Sequence, residues 1–142
     1  MPTRNAEAVW NGGIMDGTGT MRLGSGAFEG AYSFKTRMED GVGTNPEELI
    51  GAAHAGCFSM ALSAALGQAG FTAKSIETKA AVRFDKVEGG FAITKIDLTT
   101  TAEIPEIDDA KFQEVAKSAK ENCPVSKALT GTEISLQASL KK

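Results

Sequence analysis

Residues 45–66 read NPEELIGAAHAGCFSMALSAAL. Asn45 is a helix-capping residue type, Pro46 suits the first helical position, and Glu48 stands at the third, where its carboxylate closes a capping box. From there to about Gly67 or Gly70 the chain is apolar or small on nearly every side: Leu49, Ile50, Ala52, Ala53, Ala55, Phe58, Met60, Ala61, Leu62, Ala64, Ala65 and Leu66. A surface helix carries a polar face, and this one has none. A helix apolar all round is central, covered by the rest of the fold or by a partner chain. Glycines, His54 and serines interrupt the run, so it reads as a buried core helix that falls short of a membrane span.

Strand patterns flank this helix on both sides. Upstream, the alternation over Ala6–Trp10, then Thr18–Leu23 and Phe28–Phe34, is broken by Asn11-Gly12-Gly13 and Gly24-Ser25-Gly26, which are hairpin signals. Downstream, Ile76, Thr78, Ala80, Val82 and Phe84 alternate with charged or small residues. A Glu88-Gly89-Gly90 turn leads to a return strand with Ile96, Leu98, Ala102 and Ile104 on one face. Asp108 or Asp109 opens a second helix, buried through Phe112, Val115, Ala116 and Ala119 and ending near Asn122. Cys123-Pro124 follows, then a short helix over Val125–Leu129 and a last strand, Thr132–Leu140. Strands and helices are segregated rather than alternating, which makes the class α+β.

The chain has 142 residues, fitting one domain over 1–142, long enough to bury a core without staples. Hydrophobic content of 42%, charged content of 23% and a net charge of −3 are ordinary for a soluble globular protein. Lys and Arg are scattered, leaving no basic face for nucleic acid. The first ten residues carry no signal-peptide pattern, so no membrane partner is expected and the expected location is the cytoplasm.

Two cysteines and one histidine carry the chemistry. A permanent disulfide is not expected in a reducing compartment. Cys57, Cys123 and His54 alone are too few donors for a closed metal site, and no cofactor motif is present. In the middle of the apolar helix, Cys57 has the ordinary reading of a small buried hydrophobe. Cys123, just before Pro124, stands at the start of the short helix, where the dipole lowers a thiol pKa; position alone favours it as the thiolate. His54, three residues before Cys57, shares its helix face, so a Cys/His nucleophile pair stands beside the plainer reading of a histidine bonded to a carbonyl. Arg37 reads locally as a solvated residue. Of the two first-turn acids, Glu48 has the capping task and Glu47 is free.

Thr36-Arg37, the run Gly43 to Met60, Gly90-Phe91-Ala92-Ile93-Thr94-Lys95-Ile96 and Cys123-Pro124-Val125-Ser126 together resemble the OsmC branch of the OsmC/Ohr peroxidases. The resemblance covers nearly the whole chain in order, more loosely before Tyr32. It implies an OsmC-like fold: antiparallel sheets around the long central helix, in an intertwined homodimer with two interfacial sites. It also implies a thiol peroxidase that reduces organic hydroperoxides, and hydrogen peroxide more weakly, through a Cys57 sulfenate and a Cys57–Cys123 disulfide recycled by a dihydrolipoyl-type dithiol. Carried over by position, Cys57 is the attacking thiol, Cys123 the resolving one, Arg37 the activating cation, and Glu47, ten residues before Cys57, the acid that holds Arg37. The resemblance overrules the positional preference for Cys123 as attacker.

These roles are physically coherent. A buried thiol resists ionising and an adjacent guanidinium reverses that. Arginine stays charged and donates to two atoms at once, and a carboxylate fixes it by a bidentate pair. Phe58, Met60 and Leu62 are expected to favour alkyl peroxides. Glu47 and Cys57 lie ~15 Å apart along the helix and ~80° apart around it, so each site is expected to draw them from different subunits. Two rival readings remain: a non-catalytic dimeric stress-response or ligand-binding module with inert cysteines, and a Cys57/His54 hydrolase or acyltransferase.

Overall fold

The computed structural model describes residues 1–141. Contacts divide the chain into two units, Met1–Leu49 and Ile50–Lys142, with the boundary inside the long apolar helix.

In the first unit, β1 (Ala6–Asn11), β2 (Thr18–Leu23) and β3 (Glu29–Tyr32) form an antiparallel meander. Gly19 stands opposite both Trp10 and Tyr32 in the register. A Cβ there would lie 2.6 Å from the Tyr32 ring and 2.7 Å from the Trp10 ring. Glycine therefore lets the two aromatic side chains close over the strand, their centroids 5.4 Å apart. The third strand ends sooner than its alternation suggests, because Phe34 opens a short helix, α1 (Phe34–Met38). Ser33 Oγ accepts from the Thr36 N–H at 3.3 Å and Thr36 Oγ1 accepts from the Ser33 N–H at 2.8 Å. This is a capping box with threonine in the place usually held by glutamate or glutamine.

The approach to α2 (Pro46–Gln68) is fixed by backbone. Gly43 has φ +138°, and a Cβ on it would lie 2.6 Å from the Ala31 carbonyl. The Thr44 N–H donates to that carbonyl at 2.8 Å. Asn45 then caps as expected, its Oδ1 accepting from the Glu48 N–H at 2.8 Å, while its Nδ2 donates to the Thr36 carbonyl at 3.2 Å. The Glu48 carboxylate accepts from the Thr44 hydroxyl at 2.7 Å, so the return contact of the expected capping box is made to the residue before the cap.

In the second unit, β4 (Ser75–Val87) and β5 (Gly90–Glu103) make a long antiparallel hairpin, with a register shift between Arg83 and Phe84. Helices α3 (Asp109–Asn122) and α4 (Pro124–Ala128) intervene before β6 (Glu133–Leu140). That helical crossover brings β6 alongside β5 in parallel. Antiparallel pairing thus describes the first sheet and the β4–β5 hairpin, and β6 departs from it. Asp108 caps α3, accepting from the Lys111 N–H at 2.7 Å.

The core gathers Phe58, Leu62 and Leu66 of α2, Ile96, Leu98 and Ala102 of β5, and Phe112, Val115, Ala116 and Ala119 of α3. Thr100 is buried among them because its hydroxyl is fully used: it donates to the Glu77 carbonyl at 3.1 Å and meets Thr78 Oγ1 at 3.0 Å. Ser59 Oγ extends the chain, 2.7 Å from Thr78 Oγ1.

The helix α2 is covered on one stripe only. Gly51, His54, Phe58, Leu62 and Leu66 are buried, while Ala52, Ala53, Gly56, Met60, Ser63 and Ala64 are exposed. With 23 residues and a hydropathy of 1.6 it meets the length and composition of a membrane span, against the expectation that its interruptions disqualify it. Glycine and serine are too nearly neutral to lower its hydropathy.

Candidate functional site

Cys57 and Cys123 are brought together in the second unit. Cys57 rides on α2 and packs against the core. Cys123 is at once the C-cap of α3 and the N-cap of α4, with φ −58° and ψ 122°. Pro124 stands at the first position of α4, so the chain turns at Cys123 and the thiol points inward, fully buried. Both cysteines are free thiols, with Sγ atoms 3.0 Å apart. About 1 Å of further approach reaches the length of a disulfide bond.

The two thiols are hydrogen-bonded, and their surroundings decide which ionises more readily. Burial pushes the Cys57 thiol up, and the bond to Cys123 pushes the same way, against a smaller opposing effect of the Val125 amide. Burial also works against ionising Cys123. The Cys57 thiol, the amide and hydroxyl of Ser126 and the Val125 amide outweigh it and draw the Cys123 pKa below that of an ordinary thiol. Within one chain Cys123 is therefore the more readily ionised of the two thiols, the order that helix position predicts. Ionising Cys57 calls for a cation.

His54 does not pair with Cys57. It is fully buried, its Nε2 is 2.8 Å from Ser126 Oγ on α4, and its Nδ1 has no hydrogen-bond partner. Burial holds its pKa below the usual histidine value, so the ring is neutral. In the sequence Ser126 appears only as the last residue of the Cys123-Pro124-Val125-Ser126 match, with no role attached. Its place three residues after Cys123, on the same side of a helical turn, is what points to it.

Arg37 and Glu47 are brought together in the first unit. Arg37 Nε donates to Glu47 Oε1 at 3.1 Å and Nη2 donates to Oε2 at 2.9 Å, a bidentate fork. The Glu47 side chain is 8% exposed and that of Arg37 41%, so the carboxylate is the sunken partner. Arg37 is thus held rather than freely solvated. Trp10, Ile14, Tyr32, Ser33, Phe34 and Arg37 line an open cleft of about 230 Å³. No sequence pattern announces this cleft, because it depends on the Trp10–Gly19–Tyr32 register.

The expected apolar contributors divide. Phe58 and Leu62 lie in the core, fully buried, and offer nothing to a substrate; only Met60 is exposed. One and five residues beyond Cys57, both side chains join the core formed with β5 and α3. Among the described residues, no three His, Cys, Asp or Glu side chains gather as a metal-ligand set.

The OsmC-like protein family model matches residues 39–138. The chain is 52% identical to peroxiredoxin OsmC of Escherichia coli K12, over 97% of this chain and 96% of that one. It is 36% identical to the organic hydroperoxide resistance protein OhrB of Bacillus subtilis, over 67% and 68% of the two chains. The crystal structure of OhrB superposes with a TM-score of 0.70 at 28% identity, covering 96% of this chain and 98% of that one.

Proposed function

The chain belongs to the OsmC-like protein family, and from that premise we propose that it is a thiol peroxidase reducing organic hydroperoxides, and hydrogen peroxide more weakly. The observation that carries this reading is the pair of free thiols 3.0 Å apart, Cys57 on α2 and Cys123 at the α3–α4 corner. The names of the relatives, a peroxiredoxin and an organic hydroperoxide resistance protein, support it.

In the proposed cycle the Cys57 thiolate attacks the terminal peroxide oxygen. The O–O bond breaks, an S–O bond forms, and the departing alkoxide takes a proton to leave as alcohol. Cys57 is then a sulfenic acid. The Cys123 sulfur attacks it, the S–O bond breaks, and hydroxide leaves as water with the Cys123 thiol proton. A dithiol of dihydrolipoyl type reduces the resulting disulfide. Arg37 supplies the cation that Cys57 needs, and Glu47 holds its fork toward thiolate and peroxide. The cleft beside Arg37, with Trp10, Tyr32 and Phe34 in its lining, suits an alkyl group better than water.

The bare, small-residue stripe of α2 supports a homodimer, and each site is proposed to take Cys57 from one chain and the Arg37–Glu47 pair from the other. A soluble cytoplasmic enzyme fits this better than a membrane helix, since the covered stripe carries Glu47 and His54.

The test is thiol counting with a stoichiometric alkyl hydroperoxide. A peroxidase loses two thiols per chain. Cys57→Ser removes turnover completely, and Cys123→Ser stops after one turnover with a sulfenic acid at Cys57. No thiol loss in the wild type leaves the inert dimeric module as the reading. Mixing Glu47→Ala with Cys57→Ser subunits restores activity if sites are shared, and leaves it at background in proven heterodimers if they are not.

A further inference from the structure

The proposed cycle uses neither His54 nor Ser126, yet the two form a buried polar contact beside the reacting sulfurs. His54 is fully buried on α2, three residues before Cys57, and reaches across to Ser126 on α4. Burying an imidazole is costly unless it is satisfied, and this one spends its single protein contact on a serine hydroxyl. The tautomer follows from the accounting. Were the proton on Nδ1, a buried N–H would have no acceptor. With the proton on Nε2, only a lone pair goes unused, the less costly vacancy. Nε2–H then donates to Ser126 Oγ at 2.8 Å. A hydroxyl that accepts from the ring turns its own hydrogen elsewhere. Ser126 lies at the third position of α4, one turn on from Cys123 at its cap. Its hydroxyl and amide are among the groups that draw the Cys123 thiol pKa down, so the Cys123 sulfur is the acceptor assigned to that hydrogen.

We propose that His54 and Ser126 form a relay, imidazole N–H to serine O–H to Cys123 sulfur, that sets Cys123 as the resolving nucleophile. His54 is a positioning residue: it acts through Ser126, fixing the rotor of its hydroxyl. The Ser126 hydroxyl does favour the anionic form of Cys123. The relay also ties α4 to α2, the helix that carries Cys57, keeping the two sulfurs in reach while the sulfenic acid forms. No atom is consumed. In resolution the Cys123 thiolate forms the S–S bond and the S–O bond of Cys57 breaks. The departing hydroxide takes from solvent the proton that Cys123 gave up on ionising and leaves as water, while the serine hydrogen stays on its oxygen throughout.

This inference rests on the two-cysteine reading, so its test has one arm that does not need peroxide. In a Cys57→Ser background, thiolate absorbance titrates Cys123 alone. Adding Ser126→Ala, which deletes one buried oxygen, is expected to raise the Cys123 pKa, cutting the thiolate fraction near neutral pH ~3–10-fold, the worth of one hydrogen bond. His54→Leu does the same, and His54→Gln, which keeps an N–H near the Nε2 position, restores most of the effect. In the second arm, rapid mixing of otherwise wild-type protein with an alkyl hydroperoxide separates sulfenic acid formation from disulfide closure. Ser126→Ala lowers the ratio of closure rate to attack rate ~3–10-fold and increases sulfinic acid at Cys57. An unchanged titration, or His54→Leu equal to His54→Gln, overturns the relay. A shifted titration in a protein whose thiols ignore peroxide sustains the relay and removes the peroxidase reading instead.

Discussion

The two faces of α2 are equally apolar and do opposite things. Its covered stripe carries the bulk: Phe58, Leu62 and Leu66 fill the core against β5 and α3. Its bare stripe carries almost none: Ala52, Ala53, Gly56, Ser63 and Ala64, with Met60 the one large exception at 76% exposed. Hydropathy cannot separate the two, since glycine and alanine count with leucine as non-polar. Size can. Large branched and aromatic side chains gain most from burial against a sheet. Small ones gain little alone, but they let another helix backbone come close.

The largest expected effect breaks this comparison directly. A Cβ built on Gly56 meets nothing within 4 Å. Gly56→Glu should leave the single chain folded, and helix propensity even improves. In a dimer joined through this face it buries a charge, so sedimentation should show dissociation and peroxide reduction should nearly vanish. Phe58→Ala, two residues on, should do the reverse. It costs ~3–5 kcal/mol of stability in chemical denaturation and leaves the surviving folded protein dimeric. A Gly56→Glu protein that stays dimeric and active assigns the bare face to something other than a partner chain.

The covered stripe is not uniformly apolar, and its polar members sharpen the contrast. Glu47 begins it, nearly buried, with Arg37 forked onto it. Arg37→Lys keeps the charge but gives up the fork. Activity is expected to fall ~10²-fold, the scale of losing one oriented donor at a reacting centre. Stability falls by only about 1 kcal/mol, the worth of one hydrogen bond. A rate unchanged in that variant, with an unchanged Cys57 thiol pKa, removes Arg37 from the proposed mechanism.

The legible parts of this molecule are those written in local chemistry. Asn45-Pro46 fixed where α2 begins, Asp108 where α3 begins, and alternation over Ile76–Phe84 and Ile96–Ile104 the long hairpin. The parts that escaped depend on contacts between distant residues or on unusual substitutes for familiar signals. Helix α1 escaped because Thr36 replaces the acid of a capping box, and the alternation of Phe28–Phe34 continues into it. The parallel entry of β6 escaped because a strand pattern carries no direction. At the site, the two cysteines stood out by their rarity, while the roles of Cys57, Cys123, Arg37 and Glu47 came from the family resemblance, since Arg37 read locally as a solvated residue and Glu47 as a first-turn acid. Ser126 and the Trp10–Tyr32 cleft did not stand out, since a serine and two aromatic residues gain meaning only from what lies opposite them.

The last prediction concerns His54, the other polar member of the covered stripe. Burial lowers its pKa in the folded chain, while the unfolded chain keeps a value near 6.5. The sign follows from proton counts. Above about pH 6.5 both states hold a neutral ring, and His54 adds no pH dependence. Below it the unfolded chain takes up a proton that the folded chain refuses, so the unfolded state is favoured. Stability is then lost as pH falls from about 6.5 toward the lowered folded value, with a slope no steeper than ~1.4 kcal/mol per pH unit for one proton. Carboxylates titrate in the lower part of this window too, so the measurement is a difference. Urea unfolding of wild type and His54→Gln from pH 7.5 to pH 5 shares every carboxylate between the two proteins and leaves only the histidine. Wild type should lose ground to the variant as the solution is acidified. Parallel curves would mean that His54 charges as easily folded as unfolded. A curve in which wild type gains at low pH would mean that the folded chain offers the imidazolium a partner. Either result would take His54 out of the dry stripe in which Phe58 and Leu62 lie.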